Sequence, residues 1–182
     1  MRVHQRISTV LAVPAAALIL LLAGCASPAS RQAMVPQTLG APYGTHPYSV
    51  SVQSSGGTDT GALDSSNIAD ADLKAAIEEA VVSNRVFKSV VQGREGDYEL
   101  SVRVTSLSKP LFGLSFTVNM EAAWTLLKVA DGSVVMRKAV KSSGTAGPGD
   151  ALIGVTRLRL AVEAAARDNI SQGLQAVATQ KL

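Results

Sequence analysis

Two stretches of strict alternation constrain the fold of this chain more than any other feature. From 114 to 126 the residues separate by chemistry: Leu114, Phe116, Val118, Met120, Ala122, Trp124 and Leu126 share one face, and Ser115, Thr117, Asn119, Glu121, Ala123 and Thr125 the other. A period of two is that of a β-strand, and a polar opposite face belongs to a sheet that meets water on one side. Tyr98–Leu107 repeats the pattern, with Tyr98, Leu100, Val102 and Val104 inward and Glu99, Ser101, Arg103 and Thr105 outward. The apolar face of such a sheet must be covered by another layer.

Two helical stripes supply the cover. Leu73, Ala76, Ile77, Ala80 and Val81 lie at the offsets of one helix face. Asn67 and Asp70 stand where a capping pair belongs, and Asn84 where the helix would end. Asp70 and Asp72 at the start and Arg85 and Lys88 at the end follow the helix dipole. A second stripe, from Val155 through Leu158, Val162, Ala166, Ile170 and Leu174, predicts a helix from Asp150 or Gly154 to Val177. Its outer side carries Glu163 and Arg167 in the favourable i,i+4 order.

The remaining elements are shorter. Tyr48–Gln53 alternates as a strand, and 86–91 reads as a brief one that closes in a charged turn at Gly93–Asp97. Asp131 and Gly132 mark a hairpin, and register decides its type. A two-residue turn would set Arg137 opposite Leu126, whereas a three-residue loop with a Gly bulge pairs even positions with even ones. The second brings Val134, Met136 and Val140 beside the apolar face, with Lys138 on that side at the edge. Ser142–Asp150 reads as a glycine-rich loop. The expected fold is α+β, an antiparallel sheet of four to five strands with two helices on one face.

The segment before the domain has a different chemistry. Arg2 and Arg6 precede an apolar run over 7–22, and that run ends at Leu22-Ala23-Gly24-Cys25. Ser8, Thr9 and Pro14 interrupt it, and it falls short of the ~20 apolar residues that span ~30 Å of hydrocarbon. A retained membrane helix is the alternative reading. The four residues resemble the lipobox of bacterial lipoproteins: Leu, two small residues, then Cys. The resemblance implies cleavage between Gly24 and Cys25, a diacylglyceryl thioether on Cys25 and acylation of the new amino terminus. In such lipoproteins an Asp after the Cys favours the inner membrane. Ala26 and Ser27 stand here instead, which implies the periplasmic leaflet of the outer membrane. Residues 26–47, with Pro28, Pro36, Pro42 and Pro47 among glycines and small polar residues, read as a tether. If fully extended it would reach ~60 Å at ~3.1 Å per residue. The chain thus divides into a signal peptide (1–24), a lipidated Cys and tether (25–47) and one domain (48–182).

Composition limits what that domain can be. Cys25 is the sole cysteine, so no intrachain disulfide can form. Of 17 basic residues Arg2 and Arg6 leave with the signal, and the remaining 15 face 14 acids. A net charge of +1 offers no basic surface for nucleic acid. His4 also leaves with the signal, and His46 falls in the tether, so the predicted domain has no histidine for a Ser-His-Asp or Cys-His arrangement. No His/Cys metal set or cofactor motif is present.

Three weaker signals have bland readings. Ser106 and Lys109 match the spacing of Ser–Lys hydrolases, but at a strand end before Pro110 instead of a helix start. Glu95, Asp97 and Glu99 look like a cation site, or like an ordinary charged turn. Trp124 reads as core. Leu111 and Phe112, between Pro110 and Gly113, are the candidate contact for a partner or lipid, against a loop that covers the core. The element order over 48–178 is similar to that of small accessory envelope lipoproteins, such as the lipopolysaccharide-assembly and YajG-like lipoproteins. The expected function is a non-enzymatic accessory or assembly component of an envelope complex, bound to the membrane through Cys25 and to an envelope protein. The alternative is a lipid-, glycan- or small-molecule-binding module with a cavity between sheet and helices.

Overall fold

The computed structural model describes residues 26–40, 44–62 and 64–182. In chain order the elements are α1 (Arg31–Met34), β1 (His46–Ser55), α2 (Asp70–Ser83), β2 (Phe87–Val91), β3 (Tyr98–Ser108), β4 (Phe116–Lys128), β5 (Val134–Ala146) and α3 (Gly154–Ala178). The strands form one sheet in the order β2-β1-β3-β4-β5.

The sheet is mixed, which corrects the antiparallel expectation. β1 runs parallel to both β2 and β3, while β3–β4 and β4–β5 are antiparallel. The α2 crossover dictates the first pairing, because a helix between two adjacent strands returns the chain to the end it left. The second pairing follows from an offset. β2 lies beside the first half of β1, with Ser51 opposite Val91, and β3 beside the second half, with Val50 opposite Tyr98. The chain therefore steps across β1 between Gln92 and Asp97, so this segment is not the hairpin turn its charges suggested. Gly96 makes the crossing possible: a Cβ there would stand 2.8 Å from Ser51 N and 3.1 Å from Val50 C. Asp97 pins the far side, accepting from Ser49 N–H at 2.8 Å and Ser49 Oγ at 2.7 Å.

The long hairpin has the even-with-even register, Ala122 opposite Val140 and Leu126 opposite Met136, with Gly132 at φ +71°. Val134 is exposed, because the register slips between Leu126 and Leu127. β5 continues through Ala146, so Ser142–Ala146 is strand and not glycine-rich loop.

Alternate positions of β3 and β4 are buried, as are the consecutive residues Val50, Ser51 and Val52 of β1, and α3 packs on β4 and β5 while α2 packs on β1 and β2. α3 lies unusually close to the sheet. A Cβ on Gly144 would meet Ala161 O and Ala165 N at 2.3 Å each, and one on Gly173 would meet the Trp124 ring at 2.3 Å. Trp124 is fully buried and donates its indole N–H to Asn169 Oδ1 at 2.9 Å. Asn169 Nδ2 in turn donates to Val140 O at 3.0 Å and to Ser142 Oγ at 3.1 Å. The buried polar groups at this contact thereby satisfy one another.

Two expectations at the start of the domain are corrected. His46 is not in a tether: it opens β1, buried, with Nε2 3.2 Å from Val177 O and its ring 5.1 Å from Phe87. Residues 26–40 are no free spacer either. Ala29, Met34 and Leu39 are buried, and α1 contacts both α2 and α3. Ser30 N–H donates to Glu163 Oε1 at 2.9 Å, and Arg167 Nη1 to Ala33 O at 2.8 Å. Proline and glycine spacing described a segment without regular structure, and tertiary contacts gave it a fixed place.

Candidate functional site

The two ends of the sheet differ in chemistry. At the lower end, where β1 and β3 begin, His46, Tyr48, Phe87 and Tyr98 form an aromatic cluster with Tyr48 and Tyr98 edge-on at 5.2 Å. At the upper end the chain turns from β3 to β4 and from β5 to α3. Phe116 and Ala146 are paired there, so the two loops leave from adjacent strand ends. Leu111, Phe112 and Leu114 on the first loop are 91, 85 and 79% exposed, and Leu152 and Ile153 on the second are 92 and 63% exposed. Val155, in the first turn of α3, is also exposed.

The loops are held from beneath. Arg157, nearly buried in α3, donates from Nη1 to Ala151 O at 2.9 Å and Leu152 O at 2.8 Å, with its guanidinium carbon 5.8 Å from the centre of the Phe116 ring. Asp150 Oδ2 accepts from Gly147 N–H at 2.8 Å. Lys109, at the root of the first loop, donates from Nζ to Ser66 O at 3.0 Å and Asn67 Oδ1 at 2.5 Å. Burial pushes the Lys109 ammonium below the ordinary lysine range, and the Asp64 charge pulls it back up.

The start of the described chain lies at this same end. Ser66 Oγ donates to Ser27 O at 2.8 Å, and Ala29 N–H donates to Asn67 O at 3.0 Å. Ser27 lines a small cleft of about 100 Å³ with Val155, Thr156 and Arg159. From there the segment descends past α1, so that Gly40 sits beside Gln175 near the C-terminal end of α3.

The residues singled out in the sequence fare differently. Gly24 and Cys25 lie outside the described residues. Leu111 and Phe112 are exposed and do not cover the core. Leu114 was read as inward-facing and Val155 as part of the α3 stripe; both are solvent-facing, because β4 begins at Phe116 and the helix core begins deeper. Leu152 and Ile153 were missed, although an apolar pair between Asp150 and Gly154 in a turn is a visible signal. Asn67 does not cap α2, whose N-cap is Ala69 with no side-chain bond. Asn67 serves Lys109 instead, and Asp70 Oδ1 accepts from Gly57 N–H at 2.9 Å.

Ser106 is exposed, and Lys109 is engaged with Ser66 and Asn67. Among Glu95, Asp97 and Glu99, Asp97 is committed to Ser49, whose N–H and hydroxyl hold its carboxyl below the usual range. Arg94 pairs with Glu99 at 3.6 Å. Two larger clefts open at the sheet ends. One of about 250 Å³ lies between Gly56–Thr58 and Val104–Leu107, and one of about 350 Å³ between Tyr48, Tyr98, Lys128, Val129 and Leu182. Among the described residues no helix is long and apolar enough to cross a membrane.

No protein-family model matches the sequence, and no curated protein matches it significantly. Solved structures do share its architecture. Protein XCC0632 of Xanthomonas campestris, of the family DUF330, is 13% identical with a TM-score of 0.60, and the match covers 79% of this chain and 91% of that one. A PelC dodecamer from Paraburkholderia phytofirmans is 16% identical at a TM-score of 0.51, covering 74% of this chain and 92% of that one. A minor lipoprotein of Acinetobacter baumannii is 10% identical over 76% of this chain and 99% of its own, at a TM-score of 0.44. With XCC0632 and PelC the chain shares a fold.

Proposed function

We propose that this chain is a bacterial lipoprotein, acylated on Cys25 after cleavage behind Gly24 and held at the periplasmic leaflet of the outer membrane. Its α+β domain serves there as a non-enzymatic accessory or assembly component of an envelope complex. The observation that carries this reading is the continuity of lipobox and fold. Ala26 follows Cys25 directly, and by Ala29 the chain is buried in the domain. An acyl group on Cys25 would therefore be attached to the domain with almost no slack. The absence of Asp at 26 supports the outer-membrane address, and the likeness in element order to accessory envelope lipoproteins supports the accessory role.

A protein partner has two places to bind. β2 and β5 are sheet edges, whose unpaired backbone groups can accept a further strand. Self-association is one form this takes, since the PelC neighbour is a dodecamer. The test is Cys25→Ala in cells fed labelled fatty acid, followed by separation of inner and outer membranes. The wild type should carry label in the outer-membrane fraction and the variant none. Label retained by Cys25→Ala would remove the anchoring reading. The second reading, a binding module, draws on the cleft of about 350 Å³ beside Val129. That size falls within the range of ligand pockets. Saturable binding of a small amphiphile that is lost in Val129→Asp would favour it.

A further inference from the structure

The upper end of the domain presents six exposed apolar side chains on two adjacent loops and the first turn of α3: Leu111, Phe112, Leu114, Leu152, Ile153 and Val155. Exposed large apolar side chains gathered at one end of a domain mark a surface that something covers. Arg157 holds two carbonyls of the second loop, and Lys109 ties the root of the first to Ser66 and Asn67. What covers the patch is indicated by where the chain enters. Ser27 lines a cleft with Val155, and its carbonyl is tied to Ser66 within the Lys109 network. Consecutive Cα atoms lie ~3.8 Å apart, so a lipid on the residue that precedes Ala26 would be tied to this end by a single residue step. Acyl chains on Cys25 would then enter the bilayer beside the two loops.

We propose that this end is a membrane-docking surface: the two loops insert their apolar side chains into the leaflet that holds the Cys25 lipid, and the sheet stands end-on to the membrane. The proposal deepens the anchoring reading and rests on it for the position of the lipid. The loop sequences agree with an interfacial site. Over 109–115 and 147–155 the only charged residues are Lys109 and Asp150. The first is bonded to Ser66 and Asn67 and the second to Gly147 N–H. An aromatic and several aliphatic side chains flanked by polar groups suit insertion ~5–10 Å into the headgroup boundary. The orientation leaves the edges β2 and β5 and the polar sheet face accessible in the periplasm. The bulk of the domain is kept at the membrane instead of ranging on a ~60 Å spacer.

The test uses the mature acylated protein in phosphatidylethanolamine/phosphatidylglycerol vesicles with brominated acyl chains, which quench tryptophan on contact. Native Trp124 is fully buried and gives a constant background. Phe112→Trp and Leu152→Trp report on the two loops, and Ala130→Trp on the exposed β4–β5 turn at the opposite end of the sheet. Thermal unfolding confirms that each variant is folded. Bromine should quench the added fluorescence of both loop variants at least twofold and leave that of Ala130→Trp unchanged. Equal quenching at the two ends would overturn the proposal. So would blue-shifted loop emission that bromine does not touch, because a second copy or another protein would then cover the loops. Mass spectrometry of the same sample reports acylation separately. If Cys25 carries no lipid, the anchoring reading fails and flotation decides the loops: wild type floating with vesicles, and Phe112→Ser with Leu152→Ser failing to float, supports insertion. Failure of wild type to float refutes it.

Discussion

Leucines and aromatic side chains occupy opposite environments in two neighbouring regions of this protein. Beneath α3, Trp124, Leu126, Ile170 and Leu174 are at 0% exposure. Just beyond the ends of the same strands, Leu111, Phe112, Leu114 and Leu152 are between 79 and 92% exposed. The difference lies in what the backbone around them can do. In the buried region two glycines let helix and sheet approach within backbone contact, and Asn169 answers the indole N–H and the Val140 carbonyl. At the upper end Arg157 bonds the Ala151 and Leu152 carbonyls and Lys109 bonds Ser66 O and Asn67 Oδ1, at the roots of loops whose apolar side chains lie outside the core. Apolar residues are thus divided between stability and a free surface by their polar neighbours.

The comparison can be broken at its strongest point first. Trp124→Ala should destabilise the domain by ~3–5 kcal/mol through the cavity and lost burial, read as a fall in the midpoint of denaturant unfolding. A variant that melts like the wild type would mean that this side chain is not part of the core.

Gly144→Ala should cost about 1–3 kcal/mol, because the added methyl meets two backbone atoms of α3 that cannot rotate away. Equilibrium denaturation measures it, and an unchanged midpoint would show that α3 can lift off β5 without loss.

Asn169→Leu should cost about 1–3 kcal/mol, since it leaves the Trp124 N–H and the Val140 carbonyl buried without their partner. Combining it with Trp124→Phe should recover part of that loss, because the orphaned donor is then gone. Strict additivity of the two changes would separate the residues energetically despite the 2.9 Å contact.

The smallest effect on stability belongs to the upper end. Phe112→Ser should shift unfolding by no more than about 0.5 kcal/mol, as surface substitutions away from packing do. A collapse in thermal stability would place Phe112 in the core and erase the contrast between the regions.

Much of this division was written in the sequence, and the exceptions are instructive. Alternation over 98–107 and 116–126 and the stripe Leu73–Val81 assigned buried positions, because a period of two or 3.6 is a local consequence of backbone geometry. The even-with-even register of the hairpin followed from the same logic. Periodicity failed at element ends. Leu114 continues the β4 alternation and Val155 the α3 stripe, but the pattern does not record where the partner surface stops. The sheet was read as antiparallel because strand direction depends on which strands become neighbours. That choice turned on an offset along β1 and a crossing at Gly96, which no local pattern contains. His46 was assigned to a tether because the prolines and glycines around it break any period, and a period is blind to a segment held by individual contacts such as Ser30 to Glu163.

By itself the sequence determined the existence of the strands and of α2 and α3 and which residues of their centres lie inside, since these are matters of helical or strand period. The tertiary structure alone decided that β1 stands between two parallel neighbours, that residues 26–40 lie on the domain, and that Leu111–Leu114 and Leu152–Val155 share one end with Ser27. Those facts join residues far apart in the chain, and their proximity is set by the packing of α3 on the sheet, not by any interaction between neighbours in sequence.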